Sequence, residues 1–214
     1  HNGFLIIFGK DSIVIYSGAS APASMTLEDT ISNIGCVSRD CVVSTGKDLI
    51  FLDRSGVRSL ARTIQEKSSP IGDISKNVNN DVKSLVAAET GNIKMHYSPN
   101  ESFLLVNLPA LQQVFVFDTR FPLQDGSYRA TTWTSLSPLC FTNLADETLY
   151  IGVATGIAEY KGYDDNDVSY QISYFSHPLA FGDSSVLKFL KKVNLTTFDG
   201  AESTVVLNWA FDYT

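Results

Sequence analysis

The sequence predicts a mainly β fold built from successive antiparallel hairpins, and three observations predict it. Nearly every segment is a short run of Val, Ile, Phe, Tyr and Leu, closed by Gly, Asp, Asn or Ser at short spacing, which is the pattern of strand, turn and strand. A single stretch, 69–89, departs from it with apolar residues at helical spacing. One hairpin pattern also recurs along the chain at regular intervals.

In chain order, strands are expected at 4–8, 12–17, 40–45, 48–53, 56–62, 93–97, 102–108, 112–118, 130–135, 138–143, 147–153, 156–161, 168–175, 186–197 and 203–213. The exception, "SPIGDISKNVNNDVKSLVAAE", carries Ile71, Ile74, Val78, Val82, Leu85 and Val86 on one stripe, with Pro70 near its start and Gly91 beyond its end. These signals predict one amphipathic helix docked on the β structure, or two short pieces broken near Asn79-Asn80.

The repeat is the most informative feature. "DLIFLDRSGVRSL" (48–60) aligns without a gap on "TLYIGVATGIAEY" (148–160), pairing Leu49 with Leu149, Phe51 with Ile151, Gly56 with Gly156, Val57 with Ile157 and Leu60 with Tyr160. Upstream, "FLIIFGKDSIVIY" (4–16) falls on the same template through Leu5, Ile7, Ser12, Ile13 and Tyr16, at a spacing of 44 residues. A looser copy, "SFLLVNLPALQQVFVFD" (102–118), has a longer turn through Pro109. Hairpins repeating at a period in the forties are what the blades of a β-propeller produce, because each four-stranded blade buries its faces on its neighbours. The expected fold is thus a β-propeller or partial propeller of four-stranded blades with one helical insertion near 70–89. A β-sandwich with similar hairpins is the alternative. Residues 1–175 are assigned to the blades, and 176–214, with its longer strands and polar turn at 198–201, to a hairpin region that closes the propeller or starts a further sheet.

Composition narrows the function. A chain of 214 residues with 44% hydrophobic and 18% charged residues has the profile of a compact globular protein. The net charge of −7 argues against a binder that neutralises phosphates; the one basic cluster, "LKFLKK" at 187–192, is short. No run of about 18 apolar residues occurs, so membrane insertion is not expected. "HNGFLIIFGKDS" lacks the basic start and cleavage site of a signal peptide, and without an initiator Met it reads as the interior of a larger protein. Three cysteines, an odd number, form no disulfide framework and suit a reducing compartment. The triplets Asn100-Glu101-Ser102 and Asn194-Leu195-Thr196 carry no weight as glycosylation acceptors without a secretion signal.

No catalytic, cofactor or metal site is expected. Cys36 and Cys41 would need two further ligands to make a zinc site, and the remaining candidates, Cys140, His96 and His177, are scattered with no pairing motif. Strand alternation puts Cys41 on a face with Val43 as a small buried hydrophobe. The acidic residues Asp11, Asp53, Asp125, Asp146, Asp164, Asp165, Asp167 and Asp199 fall in turns, where propeller glycosidases need converging carboxylates. "YDDNDVS" (163–169) lacks the calcium-loop spacing, and "SYRATTW" (127–133) lacks the Asp and Gly of a sialidase Asp box. Arg39, Arg54, Arg58 and Arg62 suggest a polar face, either solvated or paired with a neighbouring chain. Trp133 and Trp209 suit packing between blades or at a subunit interface.

"LIIFGKDSIVIYSGASAP", "IGCVSRDCVVSTGKDLIFLDRSGVRSL" and "ESFLLVNLPALQQVFVFDTR" followed by "TTWTSL" together resemble the tail nozzle, or tubular, proteins of short-tailed bacteriophages. The resemblance is one of pattern and covers most of residues 4–175, with no catalytic motif. It implies a virion structural protein of the viral tail, made in the host cytoplasm. Identical subunits would form a homo-oligomer, a hexameric ring, below the portal and adaptor and in company with tail fibre proteins. That tail tube would conduct DNA during ejection without binding it specifically, and no cofactor or active site is implied. The chain is shorter than typical members, so an incomplete propeller is expected. An acidic conduit fits independently, since like charge keeps DNA contacts weak. The competing function is a propeller enzyme or lectin that acts on or binds surface glycans; a third is a scaffold for host protein contacts.

Overall fold

A computed structural model describes residues 1–66, 74–134, 136–162, 171–176, 182, 191–196 and 204–209. Contacts divide the chain into His1–Gly162 and Tyr163–Thr214. The first unit is mainly β: four small antiparallel sheets and two helices. In the second, the strands expected at 168–175, 186–197 and 203–213 are not formed over their described parts, 171–175, 191–196 and 204–209; the rest of those spans, the loop 163–169 and the turn 198–201 lie outside the described residues.

Each sheet is a meander of consecutive strands. The first holds β1 (Leu5–Phe8), β2 (Ser12–Ser17) and β3 (Thr26–Ser32); the second β4 (Val42–Ser44), β5 (Leu49–Asp53) and β6 (Gly56–Ser59). The third holds β7 (Lys94–Ser98), β8 (Phe103–Leu108), β9 (Gln113–Asp118) and β10 (Arg129–Trp133). The fourth holds β11 (Cys140–Asn143), β12 (Leu149–Val153) and β13 (Gly156–Glu159).

The repeat read from the sequence is a repeat of register. Leu52 opposes Val57 and Asp53 opposes Gly56 in the second sheet, while Gly152 opposes Ile157 and Val153 opposes Gly156 in the fourth. In the first sheet Phe8 opposes Ile13 and Ile7 opposes Val14, the same pairing displaced by the 44-residue spacing. The looser copy forms β8–β9, whose turn through Pro109 closes at the pair Leu108 and Gln113. Because side chains alternate with period two, identical register puts equivalent residues on equivalent faces.

The sheets stack face to face in chain order. We call the face turned toward the next sheet its leading face and the opposite one its trailing face. Phe8 on the leading face of the first sheet meets Phe51 on the trailing face of the second, with ring centroids 5.1 Å apart. The leading face of the second sheet, which carries Cys41, meets the trailing face of the third, where Met95, Leu104, Val106, Phe115 and Phe117 join the same buried cluster. Leading-face His96 of the third sheet lies over Phe141 of the fourth at 5.9 Å, and Leu105, Val114 and Val116 pack with Leu149 and Ile151. The first strands of successive sheets are neighbours, β4 against β7 and β7 against β11. Full burial of one side chain such as Phe51 contributes about 1.5–3 kcal/mol. No closed barrel or ring is formed by these sheets.

Three elements differ from expectation. The strand expected over 56–62 stops at Ser59, and α1 (Leu60–Glu66) follows. Ser59 Oγ accepts the Arg62 amide at 3.2 Å and Asp48 Oδ1 accepts the Ala61 amide at 3.1 Å, so two of the helix's orphan donors are satisfied. In the described part of the expected helical insertion, a 3₁₀ turn at Lys76–Val78 runs into α2 (Asn79–Ala88), so the break falls at Asn79; residues 67–73 lie outside the described residues. Finally, β3 occupies "TLEDTIS", where no strand was expected because Ile31 alone is buried there.

Candidate functional site

The residues singled out in the sequence do not converge. Cys36 and Cys41 are buried and Cys140 is exposed. Cys41 Sγ donates to the Ile93 carbonyl at 3.3 Å and Cys36 Sγ to the Ser38 carbonyl at 3.0 Å, so the thiols act as small core groups with weak polar contacts. The hydrogen bond between them lowers the Cys36 pKa from its ordinary value, while that bond and burial raise that of Cys41. Among the described residues, no three of His, Cys, Asp and Glu are grouped to hold a metal ion. His1 is exposed, and His177 lies outside the described residues.

The arginines find partners inside the chain. Arg39 pairs with Asp40 at 2.9 Å and Arg54 with Asp11 at 3.1 Å, both pairs at the surface. Arg62, which lies on α1 where a strand was expected, donates to the Gly126 carbonyl at 3.3 Å. Arg58 is buried, and its guanidinium lies 3.4 Å from Asp53 Oδ2. The Asp53 carboxylate also accepts the amides of Gly35 at 3.3 Å and Ser55 at 3.0 Å, and Ser55 Oγ accepts from Arg58 Nε at 2.8 Å. On the other side of this hairpin, Ser75 Oγ accepts the Val57 amide at 2.9 Å and bonds Asn79. Gly56, at φ +135°, sits beneath these groups: a Cβ there would come within 2.2 Å of Asn79 Oδ1. With its lone pairs engaged by neighbouring groups, Asp53 fixes the turn and has no open side for a substrate.

A second polar joint ties the third sheet to the fourth. His96 Nε2 bonds Asn143 Oδ1, and Asn143 Nδ2 donates to Ser98 Oγ at 3.1 Å and to the Glu147 carbonyl at 2.8 Å. Lys94 Nζ and Asn107 Nδ2 hold the carbonyls of Leu139 and Pro138. Burial pushes the His96 pKa below the ordinary imidazole value, partly offset by the Asn143 bond. Trp133 stacks on Tyr160 at 5.6 Å and meets Phe103 edge-on, so it packs between the sheets; Trp209 is exposed.

One cleft of about 480 Å³ lies beside α2, floored by Val37, Val86, Ala87 and Ile93 and edged by Arg54 and Lys83. Its carboxylate, Glu89, already accepts the amides of Gly91, Ala110 and Leu111. The acidic turn residues are likewise local caps: Asp125 accepts Ser127 through Oγ and amide, which hold its carboxyl down to about 2, and Asp146 accepts the Thr148 amide. These pairings leave no nucleophile aligned with a base in the described residues, and no converging carboxylates. What remains conspicuous is apolar surface at the two ends of the stack. Ile7 and Leu27 are exposed on the first sheet, and Ile157 on the fourth.

No protein-family model matches the chain, and no curated protein matches it.

Proposed function

We propose that the chain is a structural subunit of a short-tailed bacteriophage tail nozzle, in which four sheets form consecutive blades of an incomplete β-propeller. Identical chains assemble into a ring that conducts DNA. The observation that carries this reading is the register-preserving repeat stacked in chain order, with β4, β7 and β11 side by side as first strands are in a propeller. The sequence resemblance to nozzle proteins supplies the biological setting. The net charge of −7 supports passage over retention, because a duplex carrying dense phosphate charge is repelled by an acidic wall.

In this mechanism the chain does no bond chemistry. Its stiffness comes from the sheet-to-sheet cores, from the buried Asp53–Arg58 pair that fixes the hairpin of the second sheet, and from the His96–Asn143 joint that ties the third sheet to the fourth. Hexameric stoichiometry and contacts with portal, adaptor and fibre proteins belong to the same proposal.

Negative-stain electron microscopy of the purified chain, with a parallel hydrolysis assay on bacterial surface glycans, tests it. Rings with an open centre and no hydrolysis are expected. A stable monomer that cleaves glycans would sink the nozzle reading in favour of a propeller enzyme.

A further inference from the structure

Internal repetition shows what each face of a sheet is for. Three times within the chain a leading face is covered by the trailing face of the next sheet. Register identifies the equivalent leading-face positions: Cys41, Ile50, Leu52 and Val57 in the second sheet correspond to Cys140, Tyr150, Gly152 and Ile157 in the fourth. The environments are opposite. Val57 and Cys41 are 0% exposed, whereas Ile157 is 80% exposed and Cys140 is open. Gly56 is overlaid by Ser75 and Asn79, while a Cβ on Gly156 would meet nothing within 4 Å.

The first sheet is the mirror case. Its leading face, with Ile13 and Ile15, is buried. Its trailing face holds Leu5, Ile7, Val14, Tyr16 and Leu27, brought together by the pairs Leu5–Tyr16, Ile7–Val14 and Tyr16–Leu27. Ile7 is 48% and Leu27 58% exposed, although the equivalents of Ile7, Phe51 and Ile151, are 0% and 3% exposed. Within His1–Gly162 both terminal faces are open, so neither covers the other there.

We infer that the leading face of the fourth sheet, around Ile157 and Cys140, receives the trailing face of the first sheet, around Ile7 and Leu27, of a second copy of this chain. The contact rests on the reading that identical chains assemble, but not on a role in a phage. It continues across the subunit boundary the sheet-on-sheet packing that the chain uses three times internally. The two patches differ, so the contact is heterologous, and head-to-tail addition yields a closed ring or an extending filament. Neither patch centres on a charged side chain; Glu159, at the rim of the leading face, is paired with Lys161 at 2.7 Å. This suits burial of apolar area, the main driving force of association in water.

Complementation between two variants is the test. Ile157→Lys disables one face and Ile7→Lys the other; both positions are exposed, and unchanged circular dichroism shows that the variants fold. Leu27→Lys serves as a second trailing-face variant. By native mass spectrometry the wild type is expected as multiples of 23.4 kDa and each variant alone as a monomer. Their equimolar mixture is expected as a 1:1 dimer, because each supplies the face the other lacks. Variants that assemble like the wild type would overturn this contact while leaving ring assembly by another surface intact. Two monomeric variants that fail to pair when mixed would also overturn it, and a wild type that is monomeric throughout would overturn it together with the assembly reading.

Discussion

The second and fourth sheets carry the same hairpin in the same register, yet one is sealed and the other open. Val57 and Ile157 are both β-branched hydrophobes opposite the same strand position, and only the neighbours decide their exposure. The comparison extends to polar residues. Asp53 and Arg58, a buried pair in the second sheet, stand where the fourth has Val153 and Ala158. A repeated sheet thus keeps its backbone template while each copy adapts its faces to what lies against them.

The sharpest way to break the comparison is to truncate equivalent trailing-face residues. Phe51→Ala should cost about 3–5 kcal/mol by chemical denaturation, whereas Ile7→Ala, at a half-exposed site, should stay within about 1 kcal/mol in dilute monomer. Equal losses would mean that the first and second sheets are not environmentally distinct.

Close behind in size is the buried pair. Asp53→Val leaves the Arg58 guanidinium buried without its carboxylate, an expected loss of about 3–5 kcal/mol. The double variant Asp53→Val with Arg58→Ala, which copies the fourth sheet's residues into the second, should recover part of that loss. Additive losses would show that the two side chains do not act as a pair.

The glycines separate backbone strain from crowding. Gly156→Ala pays only for its positive φ of +154°, on the order of 1–3 kcal/mol. Gly56→Ala also drives a methyl into Ser75 and Asn79, adding about 1–3 kcal/mol as overpacking does. Melting temperatures of the two variants check the order, which reverses if the cover over Gly56 yields freely.

The smallest effect concerns the joint between the third and fourth sheets. Burial lowers the His96 pKa, so the unfolded chain binds its proton more readily than the folded one. Stability is therefore full above the unfolded value of about 6.5 and declines as pH falls through it. A His96→Gln variant should show a flatter melting profile between neutral and mildly acidic pH, and an unchanged slope would remove His96 from the joint.

Much of this architecture was legible because hairpins have a period of two and Gly turns mark their ends. Leu49, Phe51, Gly56 and Val57 recur a hundred positions later, and the structure repeats their pairing. The strand β3 was hidden because "TLEDTIS" buries only Ile31 and alternates too weakly to register. Helix α1 was read as strand because its start is set by Asp48, eleven residues before Ser59 along the chain. Cys41 was legible as a core residue, whereas the Asp53–Arg58 pair was not, since Asp53 looked like one more turn acid. The spacing of Asp53, Ser55, Gly56 and Arg58 in one tight hairpin was the signal that could have exposed it. The open end faces were illegible in principle: Ile157 and Val57 are the same kind of residue, and exposure depends on what packs against them.

Self-association through sheet faces is the property on which ring assembly depends. Sedimentation velocity of the wild-type chain over a concentration series measures it. The expected result is conversion from a 23.4 kDa species to discrete multiples of that mass as concentration rises. A single 23.4 kDa species at every concentration would contradict it.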